Sequence, residues 1–444
     1  MERTQNKMDN SRVCQFKNLI IARITILLHL LKTLGGDPYA LHINILAYLL
    51  SPANILSNAF GKLLTNISVA RLDSSILHPR KNISKQYSKC HKGSEEQSAN
   101  CLLPGLPEEV SLECLTLASR SNYPALACVS RRFRSLISSG YLYKLRQKLG
   151  IQEHWIFVST ADMPWEGFDP MIRRWMPMPP IPCDDCFKMA DKESLAVGTQ
   201  LLVFGRETSE LAIWMYSLVT KEWSRARPML HGRCLFGSAS LNGVAILAGG
   251  VDPKGRVLNL AEMYNSETGT WKPLPGLNVA RRSSAGLFMD GKFYVIGGLT
   301  QDGQSLTCGE EFDLETSVWR RIMNIYPVGV QVNPCQSPPL MAVVNHQLYA
   351  ADKDLNVVKK YNKEDNTWNV VKNLPVQASP TGWGMAFRGC GDRLIVITGQ
   401  RLVYSEGIVI HGWRPEGDPH ETWEILSARE RAGMFVQNCA IMGC

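Results

Sequence analysis

Tyr264-Asn265-Ser266-Glu267-Thr268-Gly269-Thr270-Trp271 and Phe312-Asp313-Leu314-Glu315-Thr316-Ser317-Val318-Trp319 lie 48 residues apart and share one grammar. An aromatic is followed by Asn or Asp, then Thr, then Trp seven positions after the aromatic. Tyr216-Ser217-x-x-Thr220-x-x-Trp223 and Tyr361-Asn362-x-x-Asp365-x-x-Trp368 are looser copies. Outward from these, Trp175, Trp223, Trp271, Trp319, Trp368 and Trp423 form a ladder with gaps of 48, 48, 48, 49 and 55 residues. A unit copied at such a period must stack on its neighbours to bury a core.

The clearest interval spells out four strands. Ser284–Met289 alternates as a short strand, Asp290-Gly291 is a type I′ hairpin signal, and Lys292–Ile296 is an apolar strand ending in Gly297-Gly298. A strand at Glu310–Phe312, a turn over Asp313–Thr316 and a strand at Trp319 complete it. The preceding unit repeats the order: Phe236–Leu241, Asn242-Gly243, Val244–Ala248, Gly249-Gly250, Glu262–Tyr264, Trp271. Asn, Asp and Ser fix such turns by bonding nearby backbone N–H groups. The aromatic and the Trp bury large area between neighbouring sheets, and the Gly pair permits positive φ and close backbone approach.

Four-stranded sheets repeated radially make a β-propeller. First hairpins are expected near Ser194–Gly205, 236–250, 284–298, Leu340–Ala351, Gly384–Gly399 and Met434–Gly443, giving six blades. Strands around Trp155–Trp175 and the segment Met434–Gly443 are expected to share one blade. Degraded glycines at Ala351-Asp352 and Gly399 leave three to five recognisable repeats, and Trp423 lacks the aromatic and turn before it. The period, Gly-Gly, Tyr and Trp are similar to kelch, whose repeat is about 50 residues. WD40 repeats run to about 40–45 residues, and none of the eleven Trp here precedes an Asp.

Length, charge and cysteine bound the rest. The 444 residues are enough for two or three domains. Residues 1–100 carry 13 Lys/Arg against 6 Asp/Glu, leaving 35 against 34 for the remainder. A nucleic-acid binder concentrates positive charge on its folded domain; here the excess sits on a leader, so no nucleic-acid partner is expected. Leu19–Leu31, broken by Arg23 and His29, is too short and polar for a membrane span. Residues 1–100 are expected to form a basic, poorly ordered extension. The thirteen Cys are scattered; Cys183 and Cys186 form one Cys-x-x-Cys without a second pair, and Cys90-His91 lacks further ligands. No metal or cofactor is expected, and a reducing compartment, cytoplasm or nucleus, is the natural location.

A helical module precedes the repeats. In Leu103-Pro-Gly-Leu-Pro-Glu-Glu-Val110-Ser-Leu-Glu-Cys-Leu115, Pro107 suits the start of a helix and Glu108 and Glu109 favour its N-terminal dipole. Val110, Cys114 and Leu117 form an amphipathic stripe, which Tyr123-Pro124 interrupts. A second helix is expected through Leu126, Val129, Phe133, Leu136 and Ile137, and a third through Leu142, Leu145 and Leu149. The Leu106-Pro107-Glu108-Glu109 start and Val129-Ser130-Arg131-Arg132-Phe133-Arg134 resemble an F-box, with Phe133 where many members carry Trp.

The order, one F-box at 101–150 followed by kelch repeats over 151–444, resembles the plant F-box/kelch-repeat family. The fold class expected is mainly β: a six-bladed kelch-type propeller preceded by a small three-helix F-box domain. The resemblance implies a non-catalytic substrate receptor of an SCF-type cullin–RING ubiquitin ligase. Its F-box would dock on a Skp-type adaptor, and through it a cullin, while the propeller holds a target protein. Leu103, Leu106, Pro107, Val110, Leu115 and Val129 are the adaptor anchors it implies, with intramolecular packing the competing role. A kelch scaffold without ligase coupling is the alternative. An enzyme on a kelch propeller would need convergent His and Tyr ligands, and His154, His231, His346, His411 and His420 show no paired spacing. Arg233, Arg281-Arg282 and Arg320-Arg321 are basic loop candidates for an acidic partner, against a default of scattered surface charge.

Overall fold

Every repeat folds into a four-stranded antiparallel sheet, and the described residues hold six of them. The structure is a computed structural model describing residues 102–103, 107–160, 163–326, 336–418 and 420–444. The expected extension 1–100, with Leu19–Leu31 and Cys90-His91, lies outside the described residues, as does Leu106. The chain divides into two units between Ile151 and Gln152.

In the second unit, blade I joins His154–Thr160, Glu166–Asp169 and Arg174–Pro177 to the C-terminal strand Val436–Gly443. Blades II to VI follow in chain order over 193–225, 237–274, 285–322, 341–373 and 385–430. The innermost strands contact one another in a closed circuit, with Val436–Gly443 the innermost of blade I. The shared first blade is therefore as the hairpin count requires. Asn242-Gly243 and Asp290-Gly291 both have positive φ at each residue, the type I′ signature.

The seven-residue spacing has a simple cause. In the hairpin between third and outer strands it sets Tyr216, Tyr264, Phe312 and Tyr361 directly opposite Trp223, Trp271, Trp319 and Trp368. Ring centroids are 5.3, 4.9, 4.9 and 5.2 Å apart. Phe168 and Trp175 obey the same rule at 5.0 Å, a fifth copy that the sequence reading passed over. In blade VI the partner is Trp413, ten residues before Trp423 and 5.7 Å from it. The turn side chains act as expected: Asn265 Oδ1 accepts the N–H of Glu267 at 2.8 Å, and Asp313 Oδ1 that of Glu315 at 2.9 Å.

Each ladder Trp also reaches back to the blade before it. The indole Nε1 of Trp223, Trp271, Trp319, Trp368 and Trp423 donates to the carbonyls of Pro179, Arg227, Pro275, Ile325 and Asn373 at 2.7–3.0 Å. Trp175 closes the series with Ser427 Oγ of blade VI at 2.8 Å. The ladder is thus a ring of stitches as well as a packing seam.

Glycine is demanded where blades approach most closely. Gly249 has φ +71°, and a Cβ there would lie 2.3 Å from the Arg281 carbonyl oxygen of the next inter-blade loop. Gly298 has φ +92° and the same problem with Arg282 at 2.5 Å.

His411 is 6 % exposed in blade VI, and its Nδ1 has no hydrogen-bond partner. Burial pushes its pKa below the ordinary 6.5. The unfolded chain therefore binds more protons than the fold below that value, so stability falls as pH drops through it. His411→Leu is expected to flatten the loss of stability between pH 7 and 5, read as the shift in urea midpoint. An unchanged acid limb would show that other groups carry it.

The first unit has four α-helices among the described residues: α1 (Glu108–Thr116), α2 (Tyr123–Ala127), α3 (Arg131–Ser138) and α4 (Tyr141–Lys148). The expected second helix is split in two. Pro124 starts α2 rather than breaking the chain, being tolerated where an N–H has no helical partner. Ser130 then leaves helical geometry and caps α3, its Oγ accepting the Phe133 N–H at 3.2 Å. Arg146 of α4 is 2 % exposed and donates through Nη1 to the carbonyls of Thr116 and Ala118 at 3.0 and 2.9 Å. It satisfies acceptors that the end of α1 leaves open.

Candidate functional site

Two surfaces are candidates, one on each unit. In the helical unit Pro107 lies immediately before α1, exposed, and its carbonyl accepts the Ser111 N–H at 3.0 Å. Glu108 Oε1 pairs with Arg132 Nη2 at 2.5 Å. That bond joins the start of α1 to the start of α3, so two sequence segments more than 20 residues apart meet in space. Val110 and Val129 are half-buried on those segments, and Arg131 and Arg134 are exposed beside them. Leu103 and Leu115, 5 % and 2 % exposed, are packed inside the unit. Of the five expected anchors among the described residues, the fold therefore leaves accessible surface on Pro107, Val110 and Val129.

On the propeller, Arg233 and Arg281 are corrections to the expected basic loops. Both side chains are fully buried. Arg233 Nη1 meets Glu262 Oε1 at 2.6 Å, and Arg281 Nη2 meets Glu310 Oε1 at 2.9 Å. Burying a guanidinium is tolerable only with a countercharge and hydrogen bonds, which these carboxylates supply. Each carboxylate also collects backbone N–H groups from the loop entering its blade: Leu230 and His231 for Glu262, Asn278 and Val279 for Glu310. The signal was present in the sequence, since both pairs are 29 residues apart and repeat at 48. Arg320 is also committed, to Glu311 at 2.7 Å, whereas Arg282 keeps partial exposure.

Cys114, Cys183, Cys234, Cys390 and Cys439 have thiol pKa values raised chiefly by burial, Cys114 and Cys439 to about 11 and Cys390 to about 12. A nucleophile needs the opposite shift. Among the described residues no group of three His, Cys, Asp or Glu is placed to hold a metal ion. Cys183 packs against the blade I–II core, and Cys186 is exposed. No helix among the described residues is long and apolar enough to cross a membrane.

The comparisons with known proteins fall on these same two units. An F-box domain model matches residues 103–145, and a Kelch motif model matches 232–278 and 280–324. Each kelch match starts one residue before a buried arginine. Two repeats are matched, fewer than the three to five expected, and they are blades III and IV with intact Gly-Gly pairs. An F-box/kelch-repeat protein of Arabidopsis thaliana is 46 % identical over 387 residues, covering 84 % of this chain and 91 % of the relative. The Arabidopsis thaliana F-box/kelch-repeat protein SKIP11 is 46 % identical over 361 residues, covering 79 % and 77 %. The chain belongs to the F-box/kelch-repeat family.

Within this F-box/kelch-repeat chain the two motif segments of the F-box come together through Glu108–Arg132. The kelch grammar maps onto blade-to-blade stitches, not onto a reaction centre. Blades I, II, V and VI complete the propeller while falling outside the kelch matches.

Proposed function

We propose that this chain is the substrate-recognition subunit of an SCF-type cullin–RING ubiquitin ligase. Its F-box binds a Skp-type adaptor, which bridges to a cullin, and its propeller holds the protein to be ubiquitinated. The observation that carries this reading is the pairing of one F-box with one kelch propeller, in that order, in a chain with relatives named for the same pair. Ubiquitin transfer belongs to partner subunits, so this chain contributes binding and geometry. The nine described cysteines, all free, fit the proposed cytoplasmic or nuclear setting.

Pro107, Val110 and Val129, with Leu106 beside them in sequence, are the proposed adaptor contacts. Leu103 and Leu115 support them from within. Truncating several apolar anchors at the centre of an interface removes a few kcal/mol. Full-length chain carrying Leu106→Ala, Pro107→Ala and Val110→Asp is therefore expected to bind a purified Skp-type adaptor at least about 30-fold more weakly than wild type. Unchanged helical circular dichroism would exclude unfolding of the module. Wild type that fails to bind the adaptor would overturn the ligase reading in favour of a kelch scaffold.

A further inference from the structure

Exposed apolar side chains are distributed unevenly over the propeller. Among the described residues, loops joining second to third strands, together with those joining successive blades, carry nine large exposed apolar residues. The opposite set of turns carries one among the described residues, Met171. Five of the nine gather on three loops: Trp383, Val403, Tyr404, Met434 and Phe435. Tyr404 and Val403 are 87 % and 88 % exposed, values that internal packing does not explain.

These loops are held together by contacts of the backbone. Gly384 pairs with Val436 as an isolated bridge, and a Cβ on Gly384 would lie 2.9 Å from the Phe435 ring. Gly399, on the strand leading to Val403, approaches so closely that a Cβ would sit 1.8 Å from the Met434 carbonyl. The Arg431 N–H donates to Ser405 Oγ at 3.3 Å. Five large apolar groups are thus presented on one stitched surface between blades V, VI and I.

Charge is nearly absent from it. Residues 374–384 and 402–405 contain no Asp, Glu, Lys or Arg, and 431–435 contains Arg431 alone. At the strand ends Arg401 and Glu406 face each other at 4.0 Å, with Glu430 exposed at the rim. Arg431 is exposed and in no ion pair among the described residues. Aromatic and Met enrichment with charge depletion is the make-up of an interface core. Exposed patches of this kind mark interaction sites.

We propose that these three loops are the target-docking surface. They take an extended stretch of a target protein carrying aromatic or long aliphatic side chains, with a neighbouring carboxylate facing Arg431. The uncharged loops are cheap to desolvate against apolar side chains, and the unpaired guanidinium selects the sign of the flanking charge. This rests on reading the propeller as the target-binding module.

The test selects ligands for the full chain, in complex with the Skp-type adaptor, from a displayed library of random dodecapeptides. Enriched peptides are expected to combine aromatic or aliphatic residues with Asp or Glu. One synthesised peptide should bind at least about 30-fold more weakly to Tyr404→Ser/Phe435→Ser. Arg431→Glu should weaken it and restore binding when the peptide's carboxylate is exchanged for Lys. His346→Ala on the opposite face should leave affinity unchanged. No enrichment, enrichment of basic peptides, or binding unaffected by Tyr404→Ser alone would overturn the assignment. So would a concentration-dependent dimer in sedimentation that Tyr404→Ser abolishes, which would give the surface to a second copy. Adaptor binding measured on the same samples reports the ligase reading separately, because none of these substitutions touches the F-box.

Discussion

Arg281→Ala is expected to cost the propeller about 3–5 kcal/mol, the penalty for leaving a buried charge without its partner. Arg281 and Glu310 are both fully shielded, and Arg281 Nη1 also donates to the carbonyls of Gly297 and Cys308 at 3.0 Å. Removing the guanidinium strands Glu310 and two backbone acceptors together. Glu310 keeps N–H donors from Asn278 and Val279, which limits the loss. The double variant Arg281→Met/Glu310→Gln should be less damaged than the sum of the single variants, because it removes both charges. Urea unfolding followed by Trp fluorescence decides: a cost below about 1 kcal/mol for Arg281→Ala would place the pair among weak surface bridges.

Trp319→Ala carries the second large effect, about 3–5 kcal/mol for emptying a large aromatic site. Trp319 is 9 % exposed, faces Phe312 at 4.9 Å, and donates Nε1 to the Pro275 carbonyl at 2.7 Å. Trp319→Phe separates the two contributions. It keeps most of the ring contact and loses the stitch to blade III, for an expected cost of about 1–1.5 kcal/mol. Equal costs for the Ala and Phe variants would show that the hydrogen bond dominates the seam. Because the blades form a closed circuit, damage at one seam is felt as a loss of the whole cooperative unit.

The propeller was legible because its grammar is local. A seven-residue aromatic–Trp spacing is one hairpin, and Asn-Gly or Asp-Gly is one turn; both can be read without knowing what packs against them. Phe168–Trp175 keeps the spacing but lacks the Thr of the stronger copies, with Ile172 in its place. The roles of Arg233 and Arg281 were less legible, since burial depends on a carboxylate 29 residues away and on a neighbouring blade. The helical unit shows the same limit. Its motif residues could be read, but that Leu103 and Leu115 go inward while Val110 and Val129 stay half-exposed is decided by how α1 leans on its neighbours. The loops that gather Trp383, Tyr404 and Phe435 have no repeat grammar at all. Their proximity is a product of ring closure.

That closure has a consequence for how the protein is made. Blade I receives its innermost strand from Val436–Gly443, and Glu153 exchanges backbone hydrogen bonds with Cys444 at 3.1 and 3.3 Å. During translation five sheets can form in order, but the first blade waits with its inner edge bare until the last of these residues has left the ribosome. The nascent chain is an open arc with an unfilled β-edge, the kind of surface chaperones occupy and aggregation exploits. A chain cut before Val436 would leave that arc permanently open.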